Sequence, residues 1–115
     1  MRIATIRDEA GREIVRARVA DRFWPRFRGL MLRRSLPEGE GVLFPHCDSI
    51  HTFGMLFNLD VVFLRDNTVA RLIEDLPQNR VRAEKGCDVL ELPAGRAGAL
   101  GLAVGQHLTV ERSVA

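Results

Sequence analysis

The chain has 115 residues, 46% of them hydrophobic and 28% charged, and a formal net charge of +2. That length and balance fit one domain over residues 1–115 with a core that needs neither disulfide nor metal. So small a net charge gives no electrostatic reason to expect nucleic acid, although all the basic residues but Lys85 are arginines suited to carboxylates and phosphates.

Ile3, Thr5 and Arg7 alternate with Arg2, Ala4 and Ile6, which predicts a first strand. The same segment lacks the apolar stretch and small-residue cleavage site of a signal peptide. Asp8-Glu9-Ala10-Gly11 is read as a turn, and Arg12 to Val19 as the returning strand of a hairpin. Asp21 is a candidate helix N-cap, with Pro25 in the first turn after it. At about 100° per residue, Phe23, Trp24, Phe27, Leu30 and Met31 fall on one arc, and Arg22, Arg26 and Arg33 fall opposite. Arg28 flanks the apolar arc, and the helix is expected to end near Leu32.

Leu36 to Gly41 is a loop by its Pro and Gly content. Val42-Leu43-Phe44 is a short strand stopped by Pro45, and Ser49 to Phe53 is another, broken at Gly54. Leu59 to Leu64 is apolar on both faces except for Asp60, and Thr68 to Ile73 returns beside it after Asp66-Asn67. Pro77 to Gly86 is polar and irregular. Asp88 to Leu92 is a strand ended by Pro93, Ala94 to Leu100 forms one or two helical turns, and Leu108 to Val110 is a last strand. These elements predict a mainly β (α+β) fold, a small antiparallel β-barrel or strongly curled sheet with two short helices. An open α+β sheet is the alternative.

Cys47 and Cys87 are expected to be free thiols of a cytoplasmic protein. No apolar run approaches the roughly 18 residues that span a bilayer, so no membrane partner is expected.

Several segments together resemble a known family. They are Arg28-Gly29-Leu30-Met31, Gly41-Val42-Leu43-Phe44, Ser49 to Met55 followed by Leu59 to Leu64, Val89 to Gly95, and the late Gly105. In order and spacing, from about Val19 to Val110, they resemble the bacterial and archaeal family called domain of unknown function 192. Gln106 departs from the pattern, which has an acidic residue after the glycine. The resemblance implies a small β-rich domain and supplies no activity.

His46-Cys47-Asp48 with His51 is the densest set of metal-ligand types, but residues so close in sequence converge poorly on one ion, and no metal or cofactor is expected. Cys47 with His51 as base lacks the helix N-terminus that lowers a thiol pKa. Asp60 and Glu91 are more informative, because a carboxylate within an apolar strand needs a partner. Arg28 is the arginine chosen for that role, which makes a structural ion pair the preferred reading. Glu91, hemmed by Val89, Leu90 and Leu92, is expected to matter more to stability; Asp60, close to His51, is the better functional candidate.

The functional expectation is a small-molecule ligand held at the barrel mouth by His51, Thr52, Asp60, Glu91 and Arg28. A small enzyme using the same groups, or an interaction module acting through the arginine-rich helix, are the alternatives.

Overall fold

The computed structural model describes residues 2–20 and 40–114. The predicted helix from Asp21, with Trp24 and Arg28, lies outside them. Among the described residues the strands are β1 (Arg2–Arg7), β2 (Glu13–Val19), β3 (Glu40–Phe44), β4 (Ser49–His51), β5 (Leu59–Arg65), β6 (Thr68–Leu76), β7 (Val81–Ala83), β8 (Asp88–Pro93) and β9 (Thr109–Val114). One short helix, α1 (Arg96–Ala99), lies between β8 and β9.

Local chemistry sets the hairpins. Asp8 accepts hydrogen bonds from the amides of Ala10 (3.0 Å) and Arg12 (2.9 Å), closing the β1–β2 turn. The Arg12 amide, and after it the Arg12 guanidinium, hold the Asp8 carboxyl below its ordinary pKa against the opposing effect of burial. Asp66 and Asn67, at φ 50° and 61°, supply the two left-handed residues that a tight β5–β6 hairpin demands.

Seven strands form one sheet in the order β6-β5-β8-β3-β2-β1-β9, and β4 pairs with β7 as a separate ribbon. Every pairing in the sheet is antiparallel except β2 with β3, which is parallel. The long connection from Val19 to Glu40 permits this, since a parallel neighbour needs a crossover of a dozen residues or more.

The expected barrel does not form. The segment leading into β9 meets the start of β6 through a bridge between Thr68 and His107 and backbone hydrogen bonds of Asn67 and Val69 with Gly105, Gln106 and Leu108, but among the described strands β9 itself pairs with β1 alone. Beyond that bridge β9 follows β1 and exposes Glu111 and Arg112, charged residues that suit an open edge. Of the two short helices expected, one is present among the described residues, as α1, and the other falls outside them. The irregular stretch from Pro77 to Gly86 contains β7.

Both faces of the sheet are covered, which is why β5 reads as a continuous apolar run. On the first face Ile6, Ala17, Leu43, Val62, Leu90 and Leu92 pack with Ala97, Leu102 and Leu108 from α1 and the segment after it. On the second, Val42, Phe44, Val61, Phe63 and Val89 pack with Ile50 of β4 and Met55.

Gly41 sits where β3 passes between β2 and β8. A Cβ there would lie 2.9 Å from the Glu91 carbonyl oxygen and 3.0 Å from Leu92 Cδ2. Backbone cannot step aside as a side-chain tip can, so Gly41→Ala is expected to destabilise the domain by about 1–3 kcal/mol. Urea denaturation checks this, and an unchanged midpoint refutes it.

Candidate functional site

Asp60 is fully buried and points to the first face. Its place follows from an irregularity in β6. Leu59 pairs with Leu76 but Val61 pairs with Ile73, so β6 carries one extra residue opposite Asp60. Asp75, at φ 55° in that bulge, turns its amide to Asp60 Oδ1 at 2.8 Å. The amide of Ala97 donates to Oδ2, also at 2.8 Å. Gly95, the N-cap of α1, has no side chain to cap with, and Asp60 satisfies a first-turn amide from a distant strand instead. Both oxygens are therefore committed to holding the bulge and α1.

Thr52 is fully buried and equally committed. Its hydroxyl donates to the Pro77 carbonyl at 2.8 Å and accepts from the Arg80 amide at 2.9 Å. It clamps the β6–β7 connection to the end of β4. His51 is exposed, its ring 5.6 Å from that of Phe53, and Phe53 is itself about half exposed.

Glu91 differs from all of these. It lies opposite Val42 of β3 and Val61 of β5, on the second face, with 5% of its surface exposed. No hydrogen bond or ion pair reaches its carboxyl among the described residues. Burial pushes its pKa up to about 7.

The structure thus does not bring the five predicted residues together. Asp60 and Glu91 face opposite sides of the sheet, Thr52 and Asp60 serve backbone amides, His51 is on the surface, and Arg28 lies outside the described residues.

Arg18 was not singled out by the sequence. It lies opposite Val42 on the side away from Glu91 and is half-buried, with no hydrogen bond or ion pair among the described residues. The alternation of Ile14, Arg16 and Arg18 against Val15, Ala17 and Val19 is visible in the sequence; the β2–β3 pairing that sets Arg18 two strands from Glu91 is not.

The cysteine region offers less. Cys47 and Cys87 are free, the Cys47 thiol donates to the Ser49 carbonyl, and burial pushes the Cys87 thiol up. Among the described residues no three His, Cys, Asp or Glu side chains are grouped to hold a metal. The Gln106 side-chain oxygen accepts from the Ala103 amide at 3.3 Å, so an acceptor is kept where the family pattern has an acidic residue. No helix among the described residues is long and apolar enough to cross a membrane.

Two solved structures share the fold. One, provisionally described as a transcription regulator from Sinorhizobium meliloti 1021, superposes with a TM-score of 0.77 at 23% identity, over 96% of this chain and 94% of that one. A protein of unknown function from Novosphingobium aromaticivorans DSM 12444 gives 0.75 at 24% identity, over 93% and 83%. No curated protein matches the sequence. The family profile of DUF192, Uncharacterized ACR, matches residues 4–110, which takes in almost every described strand. The chain belongs to the DUF192 family.

Proposed function

We propose that the chain is a small-ligand-binding domain whose recognition group is Glu91. The observation that supports this is a carboxyl set between Val42 and Val61 with no partner among the described residues. Such a group lowers stability unless something pairs with it, and a ligand bearing a hydrogen-bond donor would do so. Asp60 and Thr52 belong to the scaffold, fixing α1 and the loops around the sheet.

Native mass spectrometry of the purified chain tests the reading. A small-molecule adduct is expected on the wild type and absent from Glu91→Gln. A wild type with no adduct, and no melting shift against a panel of amines, amino acids and organic acids, overturns it.

An acid–base enzyme is the second reading, favoured by the pKa of about 7 at Glu91, which suits proton transfer near neutral pH. Turnover of the adduct molecule, lost in Glu91→Gln, would separate catalysis from binding.

A further inference from the structure

We propose that Cys47 and Cys87 are a dithiol pair that closes to an intramolecular disulfide by exchange with a small disulfide such as oxidised glutathione.

The two cysteines are far apart in sequence, and the fold returns them to one joint. There the chain leaves the sheet for the β4–β7 ribbon and comes back. On the sheet side Phe44 pairs with Val89. On the ribbon side the Glu84 amide donates to the Asp48 carbonyl at 2.8 Å, and Ser49 pairs with Ala83. Between them the His46 amide donates to Asp88 Oδ1, also at 2.8 Å. Cys47 and Cys87 therefore lie on facing segments that are pinned at both ends.

Carried on past Phe44, the sheet register sets Cys87 opposite His46; carried back from Ser49, the ribbon register sets it opposite Pro45. Cys47 is thus offset from Cys87 by one to two residues. With facing α-carbons about 5 Å apart and a rise of about 3.4 Å per residue, their α-carbons lie roughly 6–8 Å apart. A disulfide takes about 4.4–6.8 Å, so the pair stands at the edge of bonding distance. The joint is turn rather than ladder, with His46 at φ 53° and Gly86 at φ 73°, and it can close that difference without breaking a strand pairing. Both side chains also take the same side. Cys87 is buried in the second-face core, and Cys47 packs against that core. The charge of Asp48, next to Cys47, reaches the Cys87 thiol.

Access orders the exchange. Cys47 is partly exposed, whereas Cys87 is buried and burial keeps its thiol protonated. The Cys47 thiolate attacks one sulfur of the small disulfide, and the other sulfur leaves as a thiolate. Cys87 then gives up its proton and attacks Cys47 Sγ, expelling the second small thiol. The protons of both protein thiols end on the two released thiols. The protein is oxidised by two electrons, and the small disulfide is reduced by the same two. The new bond ties the β3–β4 connection to the β7–β8 connection and so fixes the ribbon to the sheet.

Equilibration of the full chain with oxidised glutathione at fixed reduced glutathione, in buffer and in denaturing urea, tests the proposal by mass spectrometry after alkylation. The folded chain is expected to lose two hydrogens, to take up no alkylating agent, and to be half-oxidised at about tenfold less oxidised glutathione than the unfolded chain needs. Cys87→Ser should stop at a glutathione adduct on Cys47, and folded Cys47→Ser should stay unmodified. Serine keeps a donor for the carbonyl that each thiol now meets. A bond that forms no more readily in the folded chain than in urea overturns the proposal. So does a disulfide between two chains, or a glutathione adduct that persists on wild-type Cys47.

Discussion

Asp60→Asn is expected to lower the thermal midpoint by about 10 °C. In the wild type each carboxylate oxygen receives one backbone amide, from Asp75 and from Ala97. The asparagine amide has one oxygen and one NH2. Whichever way it turns, a donor then faces one of those two backbone donors, and a buried N–H is left unsatisfied. That costs about 1–3 kcal/mol, more where the acceptor is a carboxylate, out of a typical domain stability of about 5–15 kcal/mol. At about 4 °C per kcal/mol for a domain near this length, a loss of 2–3 kcal/mol gives the stated shift. Hydrogen exchange should also quicken at Asp75 and Ala97, the bulge and the first turn of α1. A variant melting within about 2 °C of wild type would mean that the bulge and helix hold themselves, and the scaffold role would fall.

That result would reverse the order the sequence suggests, in which Glu91 matters more to stability than Asp60. Both positions are legible as carboxylates inside apolar strands, and both are buried. Their partners are not legible. Asp60 is satisfied by amides 15 and 37 residues downstream, and one of those is freed only by an extra residue in β6. An alternating pattern carries no signal for a bulge. The hairpin β5–β6 was readable because its turn chemistry is local, in Asp66 and Asn67. The ribbon of β4 and β7 was not, since Val81-Arg82-Ala83 is too short to show a period and depends on pairing with Ser49–His51. Barrel closure is expected from the number of short strands and their hairpin spacing, whereas it depends on whether β6 and β9 meet along their length, a property of twist and register. The place of Arg18 is illegible for the same reason, because its position relative to Glu91 rests on a parallel pairing between strands far apart in sequence.

Glu91→Gln is expected to stabilise the protein at pH 8 by about 2–3 kcal/mol and to leave it nearly unchanged at pH 5. Burial raises the Glu91 pKa from 4.5 to about 7 in the folded chain. Between those values the folded protein keeps a proton that the unfolded chain has released, so stability falls as pH rises. Below about pH 4.5 both states are protonated, and the folded form carries no penalty from this group. Above about pH 7 both are ionised, and the folded form bears the full cost of a charge held between Val42 and Val61. A shift of that size corresponds to about 3 kcal/mol. Glutamine has no charge to bury at any pH, so the variant should lack this part of the wild type's decline between pH 5 and pH 8. Urea denaturation of both proteins across that range, without added ligand, reads the difference directly. The opposite outcome is equally informative. If Glu91→Gln is destabilised at pH 8 by 3 kcal/mol or more, the carboxylate is ionised and paired, as the sequence alone suggested with Arg28. Removing it would then strand a buried cation, and Glu91 would belong to the scaffold with Asp60.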